Sequence, residues 1–223
     1  MIVNRTAGTF LLALALVFPA AAEEPVLTLR AVGVGTTEVP LTIEVLRWSS
    51  DAERSPLIAA LAPAPPPPAA PAAATEAAGR GGGRGAGGRG GGGRGGRGAG
   101  PPADPMARFT TAVKSAPTVG FVWGDGVTGY SIKYAWRAPS ADAGTERIVL
   151  VTERRLGAHA PDWSPAQGTA ADAEFTVIEM RVAPKGVGEG KTSLATKVAV
   201  DAAAQTVALE GYQAAPVQLK VTR

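Results

Sequence analysis

Apolar and polar residues alternate from the start of the folding part of the chain. Leu41, Ile43 and Val45 alternate with Thr42 and Glu44, the period of a strand with one wet face, and predict paired strands over 26–34 and 39–48. Ser50-Asp51-Ala52-Glu53 then has the spacing of a capping box, in which a hydroxyl and a carboxylate satisfy two spare N–H groups at a helix start. The helix is predicted to run to about Leu61, with Ser55-Pro56 as an alternative start, because proline beyond the first turn removes a helix hydrogen bond. Asp104-Pro105 opens a second helix, in which Met106, Phe109 and Val113 share one face.

Strand patterns dominate from Thr118 onward. Val119, Phe121 and Trp123 alternate up to a Gly124-Asp125-Gly126 turn. Tyr130, Ile132, Tyr134 and Trp136 then alternate with Ser131, Lys133, Ala135 and Arg137, which assigns the apolar four to one face. Ile148, Val149, Leu150 and Val151 are consecutive, as in a central strand covered on both sides. Further strands are predicted over 175–182, 192–200, 206–210 and 217–221, with short connections between the last ones that favour antiparallel pairing. The sum is an α+β domain, mainly antiparallel β: a curled sheet or partial barrel of about eight or nine strands with two short helices on one side.

Composition divides the chain further. Arg5, the apolar run 10–18, Pro19 and Ala20-Ala21-Ala22 form the pattern of a signal peptide over residues 1–22, so the chain is expected to be exported, periplasmic or extracellular, and soluble. That run is far short of the ~20 residues of a membrane span, and no other apolar stretch follows. Residues 62–103 are Pro/Ala-rich and then Gly/Arg-rich, a composition that does not fold, and read as an insertion between the two helices. One folded domain remains, residues 23–61 and 104–223, with 16 bases against 18 acids, so the basic character of the whole chain belongs to the insertion.

Arg47-Trp48-Ser49-Ser50-Asp51-Ala52-Glu53-Arg54, Gly188-Glu189-Gly190-Lys191 with Ala195-Thr196-Lys197, and Leu209-Glu210-Gly211-Tyr212 with Pro216-Val217 resemble a group of exported bacterial proteins of unknown function. The resemblance covers most of the folded part and implies one exported domain. It carries no activity, cofactor or site residues.

The absence of cysteine excludes disulfides, thiol nucleophiles and thiolate metal sites, and a single histidine, His159, excludes multi-imidazole metal sites within one chain. No metal and no cofactor is predicted. Gly186-Val187-Gly188-Glu189-Gly190-Lys191-Thr192 approaches a phosphate loop, but Lys185 occupies the position of its first glycine and a strand pattern follows, so the glycines are assigned to a turn. His159, with Asp162 and Trp163 nearby, lies in a long connection and offers a general base without a recognisable nucleophile. Phe121, Trp123, Tyr130, Tyr134 and Trp136 make the best ligand surface, although they are five of only twelve aromatic residues and the core has a competing claim on them. The expected function is a non-catalytic ligand- or partner-binding domain, the alternatives being a periplasmic hydrolase using the His159 loop or an anion- or nucleic-acid-binding protein.

Arg80, Arg84, Arg89, Arg94 and Arg97 give the insertion a salt-sensitive attraction for anions. No aromatic residue is interleaved for base stacking, so the tract reads as a solvated tether, with an anionic envelope polymer as its candidate partner and nucleic acid disfavoured. A variant lacking residues 62–103 is expected to keep the melting temperature of the full chain while losing its low-salt retention on an anionic column. A melting point several degrees lower would show that the insertion packs on the domain.

Overall fold

The computed structural model describes residues 24–34, 40–63, 104–124, 127–140, 144–157 and 173–223. The signal pattern, the arginines of the insertion, His159 and Trp163 lie outside the described residues. Alternating strands β1 (Leu27–Gly33) and β2 (Pro40–Val45) lead into helix α1 (Asp51–Leu61); α2 (Pro105–Ser115) follows the insertion. Then come β3 (Gly120–Gly124), β4 (Val127–Pro139), β5 (Glu146–Thr152), β6 (Thr176–Val182), β7 (Val187–Thr192), β8 (Val198–Asp201), β9 (Thr206–Leu209) and β10 (Leu219–Thr222).

Eight of these strands close into an antiparallel barrel in the order β1-β10-β7-β6-β5-β4-β3-β2, and β8 with β9 forms a separate hairpin. The curled sheet therefore closes completely, which removes its edges. Inward residues fill the lumen: Leu29, Ile43, Val122, Ile132, Leu150 and Met180 belong to one cluster, with Leu156 and Leu194 added from connections. An eight-stranded barrel is just wide enough for its own side chains, so this interior is core.

A second cluster lies outside one wall. Leu57 of α1, Phe109 and Val113 of α2, and Val207 and Leu209 of β9 pack on the outward Tyr134, Val149, Val151 and Val177. This layer explains the uninterrupted apolar run of β5, whose Ile148 and Leu150 face the lumen while Val149 and Val151 face the helices.

The capping box forms as its sequence requires. Glu53 N–H donates to the Ser50 hydroxyl, and Ser50 N–H donates to the Glu53 carboxylate at 2.8 Å. The helix starts at Asp51 and keeps Pro56 within it, so Ser55-Pro56 is not its start. Arg47 adds a two-pronged ion pair to Glu53, with both contacts at 2.8 Å. The Arg47 hydrogen bond, followed by the Ser50 N–H, lowers the Glu53 pKa from 4.5 to about 2. The group is thus depressed in the folded state, and its contribution is complete above pH 4.5 and disappears as pH falls toward 2. Acid titration is expected to melt Glu53→Gln with a shallower pH dependence than wild type in that window, read as unfolding midpoints by circular dichroism.

Three local expectations are corrected. A register shift between Ile132 and Tyr134 in the β4–β5 ladder turns the pattern over: Ile132 and Ala135 face the lumen, whereas Tyr134 and Trp136 face the outer layer. One extra residue in a ladder reverses every later side chain, so the four apolar residues do not share a face. The predicted strand 192–200 is interrupted, because Ala195 N–H closes a turn on Thr192 and β8 begins only at Val198. Gly188 and Gly190 do not shape a turn but lie in β7, where a Cβ on Gly188 would approach the Arg181 carbonyl to 2.3 Å. The turn falls instead at Gly186, with φ +83°.

Candidate functional site

Three places in the described structure concentrate chemistry. The first is the wall formed by β10, β1, β2 and β3, which neither helices nor hairpin cover. Its outward positions are mainly polar: Thr28 and Arg30 on β1, Thr42 and Glu44 on β2, Lys220 and Thr222 on β10. Phe121 and Trp123 of β3 break this pattern. They alternate with inward Val122, so the period of the strand itself sends both rings outward. The rings lie parallel, with centroids 5.5 Å apart and planes 2° from each other, and Trp123 is 39% exposed. Glu44 stands opposite Phe121 in register and Thr42 opposite Trp123, while Ser131 of β4 flanks Phe121 on the other side.

The aromatic residues singled out in the sequence therefore have three fates. Tyr130 is buried in the lumen cluster, where its hydroxyl accepts a hydrogen bond from Gly157 N–H at 3.2 Å. Tyr134 and Trp136 serve the outer layer: the Tyr134 hydroxyl is hydrogen-bonded to Thr206 Oγ1, and Arg147 sits 5.7 Å from the centroid of the Trp136 ring. Only Trp123 is exposed, with the half-buried Phe121 stacked on it outside the covered layer, and the surface imagined for all five is reduced to these two.

The second place is a buried charge network on the outer face of β5, β6 and β7, which sequence reasoning missed. Glu179 is 1% exposed; one carboxylate oxygen accepts from Arg147 Nε at 2.8 Å and the other from Leu209 N–H at 3.0 Å. Arg147 also donates to Asp201 at 2.6 Å, and this hydrogen bond lowers the Asp201 pKa. Next to it, Lys191 donates to the Tyr212 and Gln213 carbonyls at 2.7 and 3.3 Å, and its ammonium lies 4.6 Å from the centroid of the Tyr212 ring. Burial, followed by the neighbouring Glu189 charge, raises the Tyr212 pKa, so the phenol stays protonated and is a poor base. These groups are committed to each other, and they clamp the β8–β9 hairpin and the following loop onto the barrel. The signal in the sequence was Glu179, a lone acid inside the apolar run of β6.

The third place is an open groove of about 730 Å³ between α1 and the β8–β9 turn, lined by Ile58, Leu61, Pro63, Val200 and Ala202. Arg54 at its mouth is spent on Asp51 and on the Gln205 carbonyl. Among the described residues no three His, Cys, Asp or Glu side chains gather as metal ligands. No helix there is long and apolar enough to cross a membrane. No family model matches the chain, and no curated protein or solved structure matches it.

Proposed function

We propose that the chain is an exported, non-catalytic binding domain that holds its partner on the outer wall of the barrel, at Phe121 and Trp123. The observation that carries this reading is a parallel pair of aromatic rings on a wall whose other outward residues are mainly polar. A core has a use for aromatic rings and finds it in Tyr130, Tyr134 and Phe109, all buried. On a bare wall the same rings expose apolar area to water at a cost of roughly 25 cal/mol per Å², which a bound partner recovers. A lumen-type ligand site is disfavoured because the lumen is already filled by side chains.

The remaining ionisable clusters support a scaffold role. Arg147, Glu179, Asp201 and Lys191 have structural partners, as do Arg47 and Glu53. The hydrolase alternative rests on His159, which lies outside the described residues.

The test is capture by the full chain on combined glycan and peptide arrays, beside a Phe121→Ser/Trp123→Ser double variant. The wild-type chain is expected to capture one class of ligand and the double variant none. The single variant Trp123→Ala is expected to lose binding while its stability changes by about 1 kcal/mol or less, as for an exposed side chain. Equal capture by wild type and the double variant would remove the wall as the binding site.

A further inference from the structure

Resting on that reading of the wall, we infer that its ligand is an acidic polysaccharide, whose sugar rings lie on Phe121 and Trp123 while its carboxylates are met by Arg30 and Arg154. The register places Thr222, Arg30, Thr42 and Trp123 in one row across four neighbouring strands. Neighbouring strands are about 4.8 Å apart, so Arg30 and Trp123 are separated by roughly 10 Å along this row, with the Thr42 hydroxyl between them. Cation, hydroxyl and indole thus follow one another at the scale of a short stretch of sugar chain.

The opposite flank carries both signs of charge, with Glu153 paired to Lys133 at 3.6 Å. Glu153 N–H donates to the Ser131 carbonyl at 2.9 Å, and Ser131 is the register partner of Phe121. The next residue, Arg154, is exposed. Among the described residues neither Arg30 nor Arg154 has an acidic partner within ion-pair distance. Arg30, in the row of Trp123, and Arg154, beyond Ser131, thus lack counter-charges within ion-pair distance, and charges of this kind complement an anionic chain.

The remaining side chains separate a glycan from a nucleic acid. The two rings are already stacked on each other, with centroids 5.5 Å apart, which leaves no slot for a base between them. Thr28, Thr42 and Ser131 offer hydroxyls, which donate to and accept from sugar hydroxyls alike. Glu44, opposite Phe121, is an acceptor only. It accepts from a sugar O–H donor. An aromatic face with polar surroundings holds the apolar C–H side of a sugar ring while the rim takes its hydroxyls.

Affinity electrophoresis of the full chain in native gels tests this, with polygalacturonate, alginate or hyaluronate as acidic probes and dextran as the neutral one. Oligothymidylate is added as a soluble competitor. The acidic gels are expected to retard the wild-type chain, dextran to leave its mobility unchanged, and oligothymidylate not to release it. Trp123→Ala is expected to weaken retention about five- to tenfold, the scale of one lost stacking contact. Arg30→Ala is expected to weaken it about two- to fivefold and to flatten its salt dependence. Every variant retains the arginines of the insertion, so the comparison isolates the wall.

Equal retardation by dextran would overturn the acidic character of the ligand, and oligothymidylate release of the Trp123-dependent part of the retardation would assign the wall to single-stranded nucleic acid. No retardation by any of the three acidic probes would overturn the polysaccharide; if array capture still depended on Phe121 and Trp123, the binding wall itself would stand. Retardation indifferent to Trp123→Ala and Arg30→Ala would remove both readings together.

Discussion

Glu179→Ala is expected to destabilise the domain by about 3–5 kcal/mol, the usual consequence of removing one partner from a buried ion pair. Glu179 is 1% exposed and holds Arg147 on one oxygen and Leu209 N–H on the other. Its removal leaves the guanidinium with Asp201 as its remaining ion-pair partner and strips a buried N–H of its acceptor, beneath the hairpin that covers the barrel wall. Asp201→Ala is the internal comparison. That carboxylate is more exposed, and its loss is expected to cost about 1 kcal/mol, because Glu179 still neutralises Arg147. Urea melts followed by tryptophan fluorescence and far-ultraviolet circular dichroism measure both. An Arg147→Met/Glu179→Leu pair is expected to recover part of the loss, since apolar replacements need no buried counter-charge but still leave Leu209 N–H without its acceptor. A Glu179→Ala protein as stable as wild type would show that the hairpin is held by apolar contacts alone.

What could be read from the sequence was what local chemistry decides. Ser50 and Glu53 are three residues apart, and their mutual hydrogen bonds depend on nothing else, so the start of α1 was legible as one of two candidates, Pro56 being the reason for the other. The run from Ile148 to Val151 states that both faces of β5 are covered, whatever the cover is. The turnover of β4 was not legible, because the register shift after Ile132 depends on how β5 pairs with it and leaves no mark in the alternation. The glycines of β7 misled for the opposite reason: their absent side chains make room for the Arg181 backbone and for Leu219, contacts known only once the strands are paired. The exposed pair was half legible. Alternation put Phe121 and Trp123 together, but which wall is left bare depends on where α1, α2 and the β8–β9 hairpin settle.

That division of the barrel into a covered and a bare wall makes Phe109 the second position of large effect. Its ring is fully buried and meets Phe175 edge-on, centroid to centroid 4.9 Å, between α2 and the outer face of the barrel. Phe109→Ala is expected to cost about 3–5 kcal/mol, as truncation of a buried phenylalanine does, out of a typical domain stability of roughly 5–15 kcal/mol. For a domain of this size each kcal/mol moves the melting point by about 2–4 °C, so a drop of roughly 6–20 °C is expected in thermal melts. Phe109→Leu keeps most of the volume and is expected to lose under about 2 kcal/mol. Helix and strand signals are expected to melt together in both variants, because the layer that Phe109 anchors also covers Val149, Val151 and Val177, without which β5 and β6 expose apolar faces to water. Two separate transitions, with helical signal lost first, would show that the barrel is stable uncovered. Binding at Phe121 and Trp123 is expected to survive in the folded fraction of Phe109→Ala, since those rings stand on the wall that this layer does not touch. Stability and recognition would then be carried by opposite walls of one barrel, which leaves the bare one free to vary without endangering the fold.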